Sequence, residues 1–167
     1  MVKIAAAMSF ICVSLIPSRV FAQSQGQRYV VGGLATTEAW SPYVSGGGEL
    51  LSSAGLSIGA DGGVLFGRTG FRPRYPKGQT YRQYALSLIA GAHALHGFGQ
   101  AFEPFVLGGV SLLTDPDCCG PVMGWNVGGG ANYWLKSRIG FRIDGRLIRQ
   151  FGGEGGMVTA QAGITFR

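Results

Sequence analysis

Apolar residues recur at every second position through most of this chain, in runs longer than an ordinary strand. In residues 157–167, MVTAQAGITFR, the positions Val158, Ala160, Ala162, Ile164 and Phe166 are apolar. Between them, Met157, Thr159, Gln161, Gly163 and Thr165 are mostly small or polar. A period of two marks a strand with one oily face and one wetter face. The same beat runs through AGLSIGADGGVLFG, where Leu56, Ile58, Ala60, Val64 and Phe66 oppose Ser57, Gly59, Asp61 and Gly63, broken by Leu65. In RIGFRIDGRLIR, Ile139, Phe141, Ile143 and Leu147 oppose Arg138, Arg142, Asp144 and Arg146. GWNVGGGANYWL and QYALSLIAGAHAL alternate likewise.

These runs predict strands at about 28–35, 40–51, 55–67, 81–95, 101–113, 124–135, 138–150 and 156–166, the first having the least pattern. Most exceed the usual 5–6 residues of a soluble strand and match the 9–11 that a tilted strand needs to cross a bilayer. Glycine supports strands over helices: there are 30, well above the average share of about 7%, and Glu and Lys are scarce. The polar faces hold Gly, Ser, Thr and Asn with few charges. That suits a crowded interior better than an open surface. Backbone polar groups cannot stand bare in hydrocarbon, so a spanning sheet must close. The expected fold is therefore all-β, an eight-stranded antiparallel up-and-down transmembrane barrel.

The N-terminus reads differently. MVKIAAAMSFICVSLIPSRVFAQ has Lys3, an apolar run from Ile4 to Ile16, and Val20 and Ala22 at the −3 and −1 positions of a cleavage site. This is the pattern of a secretory signal peptide, 1–22, ahead of a barrel domain, 23–167. The apolar run is too short for a spanning helix. Cleavage removes Lys3 and Arg19, taking the formal charge from +6 to +4. It also removes Cys12, leaving the adjacent pair Cys118 and Cys119 in an exported chain where thiols can oxidise.

Short turns (SSA, KS) fall on the side of both termini, and long loops (68–80 and 114–123) on the other. Outer-membrane barrels show this asymmetry, with aromatic girdles at both interfaces. Trp40, Phe66, Tyr84 and Trp125 fall toward the outer rim, Tyr133 and Phe166 toward the inner one. One hairpin design occurs twice: a Gly-Gly-Gly run, a short turn, then Asp-Gly on the return strand. The offset from Gly48 to Asp61 is 13, and from Gly130 to Asp144 is 14.

On parity, Asp61, Arg142, Asp144 and Arg146 point inward at one mid-height layer, with Glu49, Glu103 and Arg138 inward nearer the termini. Two readings fit: a selective pore lining or gate, and a salt-bridge plug. The plug is favoured because an eight-stranded interior is only wide enough for side chains. The loop RTGFRPRYPKGQTYR places Arg68, Arg72, Arg74, Lys77 and Arg82 together without an acid. It suits lipopolysaccharide phosphates, which Arg forks match, or it is a solvated surface loop. Nucleic acid is a poor partner for an exported barrel.

TDPDCCGP reads as a loop by its Pro and Gly. A disulfide between Cys118 and Cys119 would be strained, since adjacent Cα atoms are closer than disulfides prefer. A metal role lacks the spaced second pair that makes zinc motifs specific. His93 and His96 invite an enzyme reading, but no Ser follows either at short range, and Ser87 lies six residues back on the inner face. A His hydrogen-bonded inside the barrel and a turn His fit better.

At EPFVLGGVSL, GWNVGGGANYWL, RIGFRIDGRLIR and AQAGITFR the segment from about 81 to 167 resembles the outer-membrane β-barrel domain of Gram-negative bacteria, the OmpA-like and OmpX-like small barrels. Residues 40–67 fit with less specificity. The resemblance implies an outer-membrane location and a non-enzymatic structural or surface-interaction role, with a narrow channel as the alternative. It implies outer-membrane lipid, lipopolysaccharide, the barrel-assembly machinery and periplasmic chaperones as partners, and no cofactor or metal. In such proteins the last strand resembles an assembly signal. Gln161, Gly163 and Phe166 match it, and its final aromatic would fall at 168, beyond Arg167.

Overall fold

The computed structural model describes residues 25–36, 39–68, 80–94, 101–115, 119–153 and 155–167, without the side chains of Gln25, Arg68, Thr80 and Cys119. The signal-peptide reading, 1–22, lies outside them. Eight antiparallel strands follow in chain order: β1 (Gln25–Thr36), β2 (Trp40–Leu51), β3 (Leu56–Arg68), β4 (Thr80–His93), β5 (Phe102–Asp115), β6 (Cys119–Lys136), β7 (Ile139–Gln150) and β8 (Gly156–Phe166). Each pairs with its sequence neighbours, and β1 pairs with β8 from Arg28↔Phe166 to Thr36↔Val158, closing the barrel. Closure leaves no strand edge within the paired barrel wall, which is what lets a sheet stand in hydrocarbon.

Alternation sorts the side chains as the sequence implies. Ile58, Leu88, Val106 and Ile143 lie outward, each about 60% exposed. With Trp40, Phe66, Trp125, Tyr133 and Phe166 they make a continuous apolar exterior. A belt this large is stable only against lipid or another apolar surface.

Strand β1 lacks a legible pattern because both its faces are partly apolar. Tyr29, Val31 and Ala35 are buried inside, while Val30 and Leu34 face outward. The second expected long loop, 114–123, is corrected. β5 runs to Asp115 and β6 starts at Cys119, so 116–118 is all that joins them. Asp115 pairs with Cys119 across an irregular register. Pro121 sits inside β6, above the last β7 partner, Gln150 opposite Gly124. There β6 is an edge strand, where a missing N–H is tolerated. The connection 69–79 remains long; the turn at 137–138 spans two residues.

Register also refines the repeated hairpin. Asp61 stands opposite Gly47, and Asp144 opposite Gly130. The two aspartates thus lie at the same spacing from a partner glycine. A Cβ on Gly47 would crowd the Asp61 side chain and the Tyr29 hydroxyl, and one on Gly130 would collide with the Ile143 carbonyl. Glycine opposite each aspartate makes the room that the carboxylate occupies.

Candidate functional site

The candidate site is the barrel interior, which divides into two layers. Near the outer rim, Ala35, Tyr43, Leu65, Tyr81, Ala85, Leu113, Ile148 and Met157 form one buried apolar cluster. Leu65, which interrupts the polar face of β3 in sequence, is fully buried at its heart. Asp115 is buried at the outer end of β5 beyond Leu113, and below the cluster the interior is mostly polar and charged, with a smaller apolar group of Ile89, Phe105 and Leu107.

Arg142 from β7 is the hub of the charged layer and is 0% exposed. Its Nε donates to Asp144 Oδ2 at 3.0 Å and its Nη1 to Glu49 Oε1 at 2.9 Å. Its guanidinium lies between two rings, 4.0 Å from the Tyr29 centroid and 4.1 Å from that of Phe105. Stacking an ion between aromatic faces offsets part of its lost hydration. Arg146 pairs with Asp61, which also accepts from the Tyr29 hydroxyl at 2.9 Å. Gln161 donates to Asp144 Oδ1 at 3.0 Å and accepts from the Ser45 hydroxyl at 2.6 Å.

The network continues toward the termini. Glu49 Oε2 lies 3.0 Å from His93 Nε2, and accepts from the Ser57 hydroxyl at 2.9 Å. His93 Nδ1 lies 2.7 Å from Glu103 Oε1, with its ring stacked on Phe105. Glu103 further accepts from Gln27 at 2.9 Å, Asn132 at 3.2 Å and Trp134 Nε1 at 2.9 Å. Arg167 pairs with Glu103 as well and stacks on Trp134. One connected chain of charge thus runs from Arg167 through Glu103, His93, Glu49 and Arg142 to Asp144.

Six of the seven residues read as lumen charges, Glu49, Asp61, Glu103, Arg142, Asp144 and Arg146, line this interior. Arg138 does not: it is exposed in the turn at 137–138, one residue before β7 begins. Parity holds only within a strand, and the turn ends it. The arginine that closes the network at this end is Arg167, whose backbone N–H donates to the Arg138 carbonyl at 3.0 Å. Continuing the β8 beat one step past Thr165 points to Arg167. Gln27 and Tyr29 are hidden in the weak pattern of β1, and Trp134 is masked by its apolar neighbours Tyr133 and Leu135.

The remaining sequence candidates fall elsewhere. Arg72, Arg74, Lys77 and Cys118 lie outside the described residues. Arg68 ends β3, and Arg82 is exposed on β4 opposite Phe66. Cys119 belongs to β6, not to a loop, which corrects the loop placement of the cysteine pair. Gln161 and Gly163 face inward on β8, and Phe166 faces outward. A Cβ on Gly163 would collide with the Val30 carbonyl at the closing seam. No group of His, Cys, Asp and Glu among the described residues has the makings of a metal site.

No protein-family model and no curated protein matches the sequence. Solved structures do match in fold. The N-terminal β-barrel domain of Pseudomonas aeruginosa OprF is similar at 17% identity, covering 86% of this chain and 98% of that one, with a TM-score of 0.59. Neisserial surface protein A (NspA) is similar at 12% identity, covering 84% and 94%, with a TM-score of 0.63. The outer membrane protein OprG of Pseudomonas aeruginosa is similar at 10% identity, covering 86% and 96%, with a TM-score of 0.59. The likeness is one of architecture.

Proposed function

We propose that this chain, a membrane-spanning barrel with the fold of small outer-membrane proteins, is a closed, non-enzymatic envelope protein with a structural or surface-interaction role. The observation that carries this reading is the stacking of two filled layers in the lumen. A largely apolar cluster fills the outer half, and an ion-paired network occupies the half below it. A pore of this strand number has no spare cross-section once side chains fill it.

An enzymatic reading finds little support. Both ring nitrogens of His93 face carboxylates, and the nearby Ser57 hydroxyl donates to Glu49 rather than to the imidazole. Nucleophile activation needs the hydroxyl on the ring. With the interior occupied, interaction falls to the outside. The exposed belt meets outer-membrane lipid. The stretch from Arg68 to Arg82, with Arg72, Arg74 and Lys77 and no acid, offers its forks to lipopolysaccharide phosphates. The Gln161, Gly163 and Phe166 pattern is the feature that the barrel-assembly machinery would read.

Planar-bilayer recording of the purified protein tests the closed reading. The expected result is a silent membrane. A stable, reproducible conductance whose ion selectivity changes in Arg142→Ala would replace it with a channel.

A further inference from the structure

His93 sits between two carboxylates. Nδ1 is 2.7 Å from Glu103 Oε1, and Nε2 is 3.0 Å from Glu49 Oε2. A neutral imidazole has one N–H and one lone pair. Whichever nitrogen carried the lone pair would then face a carboxylate oxygen, acceptor against acceptor, inside a closed lumen. Two short contacts to two carboxylates need a proton on each. Imidazole is the stronger base of the three groups, so the extra proton belongs on the ring.

Charge counting leads to the same place from a different direction. Below the apolar cluster, the described lumen side chains include four carboxylates: Glu49, Asp61, Glu103 and Asp144. Three arginines oppose them: Arg142, Arg146 and Arg167. The neutral Tyr29 hydroxyl donates to Asp61 and adds no charge. The balance is one negative charge, and an unpaired charge away from bulk water is strongly unfavourable. One proton on His93 brings the layer to neutrality.

We propose that the Glu49–His93–Glu103 triple is a proton-binding site, holding His93 as a buried imidazolium that exchanges its proton through one end of the barrel. The two ends differ. On the outer side, Leu65, Ile148 and Met157 are 2% exposed or less and carry no polar group, and the Tyr43 and Tyr81 hydroxyls and the Asp115 carboxylate at that end are buried with them. On the terminal side the chain of contacts runs from His93 to Glu103 to Arg167. The Arg167 side chain is 26% exposed where those of His93 and Glu103 are 1% and 4%. Arg167, stacked on Trp134, is therefore the stopper of the site. Through Arg167 the site reports the pH of the compartment at the end of the turns 52–55 and 137–138, and the buried outer cluster is the slower route. The inference rests on lumen geometry and charge, and holds whether or not the barrel conducts.

Ring-nitrogen NMR on isotope-labelled histidine tests it, in folded protein carrying His96→Asn so that His93 alone reports. At neutral pH the expected spectrum shows a one-bond N–H coupling on both Nδ1 and Nε2. A coupling on one nitrogen alone would overturn the proposal. In Glu103→Gln, acids and arginines already balance, so the ring should lose one coupling at the same pH; retention of both would reject the charge-balance argument. Arg167→Ala should speed exchange of the ring protons with water about tenfold, since exchange follows local opening. Leu65→Ser should leave that rate unchanged. Equal acceleration by Leu65→Ser would overturn access from one end, and the wild-type spectrum decides the imidazolium even if a variant fails to fold.

Discussion

At the scale of single residues, the outcome of a substitution depends first on which face it occupies. Ile143 is 59% exposed on the lipid-facing side of β7. Arg at the bilayer midplane costs about 2–4 kcal/mol. We expect Ile143→Arg to lower the inserted, heat-modifiable fraction on gels, and Ile143→Leu to leave it unchanged. Gly130 lies on the opposite face, against the β7 backbone. Gly130→Ala puts a methyl group where the Ile143 carbonyl stands, and overpacking of this kind costs about 1–3 kcal/mol. A lower urea midpoint in vesicles would register it; an unchanged midpoint would show that the backbone relaxes freely there. Face was legible from alternation for Ile143, Arg142 and Asp144. It was not legible for Arg138, because a two-residue turn ends the parity count just before β7.

At the scale of elements, the hairpins β2–β3 and β6–β7 share one device, an aspartate lodged opposite a glycine. The sequence echo was visible, but pairing was needed to show that Gly47, not Gly48, is the equivalent of Gly130. The seam between β8 and β1 is the other element-level feature, since it joins residues more than a hundred positions apart. Gly163 faces the Val30 carbonyl there with no space for a side chain. Gly163→Val should therefore weaken closure, seen as loss of the fast-migrating folded band and increased protease sensitivity. The same band at wild-type intensity would show that the seam tolerates a Cβ.

At the scale of the whole molecule, two layers of side chains fill the lumen, and the proposed closure rests on both. Arg142 touches Glu49, Asp144, Tyr29 and Phe105 at once, so its removal leaves two carboxylates without their main partner. Breaking a buried pair typically costs 3–5 kcal/mol. Arg142→Ala should lower the thermal midpoint in detergent markedly. It should still be silent in a planar bilayer, because the apolar layer above it is intact. Leu65→Ser, which wets that layer, should be silent as well, because the ion pairs below it remain. Leu65→Ser combined with Arg142→Ala should conduct. Conductance in either single variant would mean that one layer alone closes the barrel.

Alternation, strand length and glycine content determined that the chain makes a closed barrel, and they assigned most side chains to lipid or lumen. These signals are local: each depends on residues two apart on one strand. Partnership within the lumen is not local. Arg142 meets Glu49 across 93 positions, and Gln27 meets Glu103 across 76. Such meetings are set by the stagger between strands as the sheet closes, and no two-residue period records that stagger. The sequence could place Arg146 and Asp61 on inner faces, yet only the closed register decided that they pair. The same closure put His93 between Glu49 and Glu103, three strands contributing one residue each to a single site.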